Sequence, residues 1–109
     1  SNRQGEGLMV RMIRKAQVDS SDGARVREWI TAYTSYMAER VPPEGSVTSW
    51  TESYGAYGVI YWMIDAPDLP SLDSFLESLP TEEAYRQILI AGSELFVSGE
   101  TSDLLLKSI

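Results

Sequence analysis

The side chains that could do chemistry in this sequence are hydroxyls, carboxylates and guanidinium groups. Of 109 residues none is histidine and none is cysteine. The commonest general acid or base, the usual proximal haem ligand, thiolate nucleophiles and Cys-type zinc sites are therefore all missing. Proton transfer or charge stabilisation would fall to Tyr, Arg, Asp or Glu, or to a substrate that brings its own acidity. Serines are present, but no base accompanies them to activate a hydroxyl and no nucleophile elbow appears. The lysines, Lys15 and Lys107, sit in no context that argues for Schiff-base chemistry. Asp65, Asp68 and Asp73 lack the spacing and the glycine of a calcium loop, so no metal site is expected. Glu82-Glu83 reads as a helix start. Arg14 differs from these, because it interrupts an otherwise apolar stretch. A buried guanidinium needs an acidic or carbonyl partner, which Asp65 or Glu28 could supply if a ligand does not.

Composition narrows the class of protein. The chain is 43% apolar and 10% aromatic, enough for one hydrophobic core, and its length suits one domain spanning residues 7–109. Ser1-Asn2 resembles a tag-cleavage remnant, and residues 1–6 are expected to lie outside the fold. Nine Lys and Arg stand against 16 Asp and Glu, a net charge of −7. Such a surface repels phosphate backbones and anionic lipid headgroups, so neither nucleic acid nor membrane is an expected partner. Lack of cysteine and of any apolar run near membrane-spanning length fits a soluble, cytoplasmic protein.

The elements that must position these groups follow from periodicity and breakers. Leu8 to Val18 is rich in apolar and β-branched residues, with Leu8, Val10 and Met12 on one face at period two, and predicts a strand. Ser20, Ser21 and Asp22 offer capping oxygens ahead of Val26, Ile30, Tyr33, Met37 and Val41, which predicts a helix from about Asp22 to Arg40, stopped by Pro42-Pro43. Ser46 to Glu52 predicts a second strand. The Tyr54-Gly55-Ala56-Tyr57-Gly58 turn then joins it as a hairpin to a third, Val59 to Asp65. Pro67 to Pro80 carries Leu69, Leu72, Phe75, Leu76 and Leu79 at helical spacing. Thr81 is placed to cap a further helix with an apolar stripe of Tyr85, Ile88, Leu89 and Leu95, ending near Gly99. Asp103 to Ile109 reads as a buried closing strand.

The order β-α-β-β-α-β is that of a split βαβ: an α+β, ferredoxin-like domain with a four-stranded antiparallel sheet and helices on one face. Alternation makes both sides of its strands apolar. Val59, Tyr61 and Met63 oppose Ile60, Trp62 and Ile64; Val10 and Met12 oppose Met9 and Ile13; Leu104 and Leu106 oppose Leu105 and Ile109. Helices can bury only one side. A second copy is expected to cover the other, with Arg11, Lys15, Glu52 and Lys107 pairing across the interface or forming its rim.

The order of elements, the Trp50 strand, the Tyr-Gly hairpin leading into aromatic strand three, and the proline-bracketed double helix 69–97 before a short last strand resemble the dimeric α/β-barrel superfamily. The resemblance covers nearly the whole chain as a matter of layout. It implies one of several functions, among them cofactor-independent antibiotic-biosynthesis-type monooxygenases, polyketide cyclases, haem-degrading oxygenases and stress-responsive proteins. Without histidine the haem branches are disfavoured, and no cofactor is expected. The superfamily's oxygenases hold substrate between helices and sheet, so the resemblance points to Arg14, Ser49 and Tyr61 on the helix-facing side, opposite Tyr33 and Tyr36 of the first helix. Arg14 would stabilise a phenolate or enolate, and a tyrosine hydroxyl would donate to a carbonyl. The plainer alternative has Tyr33 and Tyr61 filling core, and Trp29, Trp50 and Trp62 acting as packing and interface anchors. The expected function is the handling of a small aromatic or polyketide-like ligand by a homodimer, as a monooxygenase, cyclase or isomerase. The alternative is a non-catalytic binding, accessory or structural dimer.

Overall fold

Residues 9–52 and 58–109 are described by the computed structural model. They fold as β1 (Val10–Gln17), α1 (Gly23–Ala38), β2 (Ser46–Thr51), β3 (Val59–Ala66), α2 (Leu69–Ser78), a 3-10 turn (Leu79–Thr81), α3 (Glu83–Gly92) and β4 (Ser102–Lys107). The expected tag remnant at residues 1–6, Leu8 of the first strand, and most of the Tyr-Gly turn lie outside the described residues.

Local chemistry accounts for most element ends. Asp22 accepts from the Arg25 amide at 3.1 Å and caps α1, and Asp68 caps α2 through the Ser71 amide at 2.8 Å. The α1 helix ends at Ala38, two residues short of the expected Arg40, ahead of the proline pair. Gly45 turns the chain so tightly that a Cβ there would lie 2.5 Å from the Asp65 carbonyl oxygen, so no larger residue fits. Thr81 does not cap α3. Its hydroxyl donates back to the Ser78 carbonyl at 2.5 Å, and Glu82 takes the cap position without a capping bond from its side chain.

The sheet is antiparallel throughout, in the order β2-β3-β1-β4. This is the ferredoxin-like arrangement that the element order predicts. Met12 faces Ile64, Arg14 faces Trp62, and Ser49 also faces Trp62. These residues therefore share the helix-facing side. The core gathers Met12, Ile64, Trp62, Tyr33, Met37, Leu72 and Phe75, each at most 5% exposed. The helices pack chiefly over β2 and β3.

Among the described residues nothing covers the opposite side. Ile13, Tyr61 and Met63 are half-buried there, and Trp50, Leu104 and Leu106 are 54%, 55% and 43% exposed. Two of the charges expected on this face are engaged within the chain: Arg11 forks onto Asp65 at 2.7 and 3.0 Å, and Tyr61 donates to Glu52 at 2.6 Å. Lys107 falls on the helix-facing side instead, because it stands opposite Val10 in the β1–β4 register.

Two expectations about the C-terminal third are corrected. The third helix stops at Gly92 rather than Gly99. Leu95 continues the apolar stripe, but it does so from an irregular segment whose backbone bonds to β1. The closing strand is not buried: every residue of β4 is exposed, because among the described residues β4 is an edge strand with β1 as its one neighbour. β4 runs along β1 from Lys107 opposite Val10 to Ser102 opposite Lys15. Further along the same edge, the Val97 amide donates to the Gln17 carbonyl at 2.8 Å, and the Asp19 amide donates to the Leu95 carbonyl at 2.7 Å. Between these two stretches β1 advances by Ala16 alone while the outer chain spends residues 98–101. That outer chain must bow away from the sheet, and Gly99 at φ 83° takes the left-handed turn this needs.

Candidate functional site

The bow at 98–101 and the placement of the helices over β2 and β3 leave a hollow above β1. It is a cavity of about 280 Å³ between the sheet, α1, the end of α3 and residues 93–101. Its walls are aromatic. The Trp29 and Tyr33 rings, one helical turn apart on α1, stack with centroids 4.8 Å apart. Trp62 from β3 meets Tyr33 edge-on at 5.2 Å, and Phe96 meets Trp29 edge-on at 5.1 Å. Both indoles are fixed by their N–H groups, Trp29 donating to the Ile88 carbonyl at 2.8 Å and Trp62 to the Thr34 hydroxyl at 3.1 Å. Gly92 makes the Trp29 position possible, since a Cβ at 92 would sit 2.4 Å from the indole. Ser93, Ser98 and Thr101 complete the lining.

Arg14 is the charged residue of this lining. Its Nε and Nη2 fork onto the Asp103 carboxylate at 2.8 and 3.0 Å, and its Nη1 donates to the Tyr33 hydroxyl at 2.8 Å. Asp103 stands opposite Arg14 in the β1–β4 register. The partner of Arg14 is thus neither Asp65, which is taken by Arg11, nor Glu28. The fork raises the Arg14 pKa, so its charge is permanent. Burial pushes the Tyr33 phenol up, and the adjacent guanidinium offsets only part of this. Tyr33 is therefore a neutral phenol across the physiological range and cannot serve as a base. Among the described residues Arg14 uses three of its five N–H groups, which leaves two for a ligand oxygen. The site can hold a flat ring between aromatic walls and polarise an oxygen on its edge.

Of the five residues singled out from sequence, the structure brings together Arg14 and Tyr33. Tyr36 is drawn away: its hydroxyl donates to Glu82, while Arg40 lies 3.5 Å over its ring and bonds Glu82 at 2.7 Å. Those two donors hold the Glu82 carboxyl below its usual range, and the cluster ties α1 to the start of α3. Ser49 faces the helices but lines a second hollow, of about 580 Å³, at the N-terminal end of α1. Tyr61 is a correction. It pairs with Lys15 and Trp50 on the uncovered side, one residue out of phase with Trp62, and cannot reach the cavity. Trp29 and Trp62 are packing residues, as the plainer alternative had them, and they are cavity walls as well. Phe96, Gly92 and Asp103 were not singled out; the spacing of Trp29 and Tyr33 was the available signal for the wall. Among the described residues no group of three Asp and Glu is placed to hold a metal ion.

No family model and no curated protein matches the sequence. Solved structures do match. A NIPSNAP-like domain protein from Burkholderia xenovorans superposes with a TM-score of 0.75 at 11% identity, over 93% of this chain and 85% of that one. SnoaB, a cofactor-independent oxygenase from Streptomyces nogalater, superposes with a TM-score of 0.65 at 11% identity, over 90% of each chain. A candidate antibiotic biosynthesis monooxygenase from Nitrosomonas europaea gives 0.71 at 7% identity, over 93% and 90%. At such identities the likeness establishes the fold alone, a ferredoxin-like α+β fold shared with these proteins.

Proposed function

We propose that this chain is a small-molecule-handling protein that works as a homodimer in the cytoplasm, binding an aromatic, polyketide-like compound in the Arg14 cavity and acting on it as a cofactor-independent monooxygenase or cyclase. The observation that carries the reading is the cavity itself. Its volume of about 280 Å³ lies just below the usual range for ligand pockets, roughly 300–1,000 Å³, and its aromatic walls with one cation match what such sites contain. The uncovered sheet face supports the homodimer, since a lone copy would expose Trp50, Leu104 and Leu106 together. SnoaB, with the same fold, is a cofactor-independent oxygenase.

The oxygenation balances without an added reductant when a ring CH2 becomes a carbonyl. One atom of O2 becomes the new carbonyl oxygen, and the other leaves as water with both hydrogens. The substrate supplies all four electrons. The residues at hand contribute position and hydrogen bonding: aromatic walls align the ring, and Arg14 steadies negative charge on an enolate or phenolate oxygen. The proton comes off by the substrate's own acidity, because Tyr33 is held neutral.

That last point also favours a second reading, a non-catalytic binder, in which the locked Arg14 and the neutral Tyr33 only recognise a ligand. Calorimetry and oxygen uptake with an anthrone separate the two. Binding with one O2 consumed per new carbonyl, and a drop in turnover of about a hundredfold in Arg14→Ala, is the expected result. Binding without uptake assigns the binder. No binding of any flat aromatic removes both.

A further inference from the structure

We propose that Asp103 sets the ligand selectivity of the cavity, admitting uncharged ring compounds that carry an oxygen acceptor and rejecting ring carboxylates. This deepens the reading above and rests on the cavity being a ligand site. An arginine in an aromatic pocket would ordinarily mark a receptor for a carboxylate, because the guanidinium fork matches that group's two oxygens. Here the fork is already filled. Asp103 takes Nε and Nη2 of Arg14 from the neighbouring strand, in the geometry a ligand carboxylate would need. A carboxylate entering the cavity would either displace Asp103 or stand beside it as a second negative charge, and like charges brought together at a recognition site oppose binding. The two Arg14 N–H groups not engaged among the described residues lie outside the filled fork, and they suit one ketone, enol or phenol oxygen.

The rest of the lining agrees. Tyr33 is a neutral phenol in contact with the same guanidinium, and Ser93, Ser98 and Thr101 are uncharged donors and acceptors. Arg14 is the charged residue of the lining, and its fork onto Asp103, just outside the lining, makes a pair of zero net charge, so little is left to attract an anion in a chain of net charge −7. The selectivity is written on the edge strand: the side chain that decides it belongs to β4, while the guanidinium it acts on belongs to β1.

The test uses two ring systems of equal size, 2-naphthol and 2-naphthoate, titrated by calorimetry at pH 7 into wild type, Asp103→Asn and Asp73→Asn. Asp73 lies exposed on α2 and does not line the cavity, so its variant carries the same change in net charge at a neutral place. The wild type is expected to bind 2-naphthol at least about tenfold tighter than 2-naphthoate, a factor of ten being 1.4 kcal/mol. Asp103→Asn should lose or invert that preference, and Asp73→Asn should keep it. A preference unchanged in Asp103→Asn, with its near-ultraviolet dichroism intact, overturns the proposal. So does a wild type that prefers 2-naphthoate, a comparison that stands even if the Asp103 variant fails to fold. If neither compound binds the wild type, the cavity is no ligand site, and the reading above falls together with this one.

Discussion

Tyr33 brings its hydroxyl against the Arg14 guanidinium, with its ring stacked on Trp29 and edge-on to Trp62. Burial is the largest influence on this phenol and raises its pKa above the ordinary tyrosine value. The sign of the linked stability follows. Below pH 10 both folded and unfolded chains carry a protonated Tyr33, and the group costs the fold nothing. As pH rises past the unfolded value, the unfolded chain releases its proton first, so stability declines with pH through that window. Alkaline titration followed by phenolate absorbance should show one tyrosine ionising well after exposed tyrosines, or only on unfolding. Tyr33→Phe should abolish that late step, and a Tyr33 that titrates with the others would refute the burial argument.

At the scale of elements, α3 and α1 meet through Gly92 and Trp29. The absence of a side chain at 92 allows the indole to lie flat against the helix end, so Gly92→Ala forces the ring, the helix or both to move. The variant should be destabilised by about 1–3 kcal/mol in denaturant unfolding. Its intrinsic tryptophan emission should shift as Trp29 is displaced. Much of this layer is legible in the amino-acid sequence. Period-two runs locate β1 and β3, Asp22 and the Pro42-Pro43 pair bracket α1, and the order of elements names the sheet. Parity and pairing are not legible there. Tyr61 and Trp62 are adjacent aromatics, and only the register with Arg14 and Ser49 says which of them faces the helices. Asp103 sits 89 positions from Arg14, a separation no local pattern spans. Leu95 keeps the helical rhythm after the helix has ended, and three consecutive leucines in β4 look alike whether an edge or a core receives them.

For the whole molecule, the two sides of the sheet have different fates. One is sealed by helices, with Met37 and Ile64 fully buried. The other presents Trp50, Leu104 and Leu106 beside the Arg11–Asp65 pair. The proposed homodimer covers that side, and light scattering should then report twice the 12.2 kDa of one chain. Leu104→Glu combined with Leu106→Glu should yield a folded species of half that mass, because charge on the uncovered face opposes association without touching the helical core. A wild type that runs as a single chain at micromolar concentration would remove the homodimer from the reading.

The outward bow of residues 98–101 bears on how such a protein can change over generations. The two stretches of chain flanking it are anchored to β1 by backbone bonds, Val97 to Gln17 on one side and Ser102 opposite Lys15 on the other. Residues gained or lost within the bow alter the rim of the cavity but do not slide either stretch along the sheet, and a Cβ at Gly99 meets nothing within 4 Å. Heritable variation in the shape of the rim is thereby separated from variation in what holds the fold. A lineage carrying this scaffold can reshape the mouth of the cavity by editing four residues while the sheet register stays fixed.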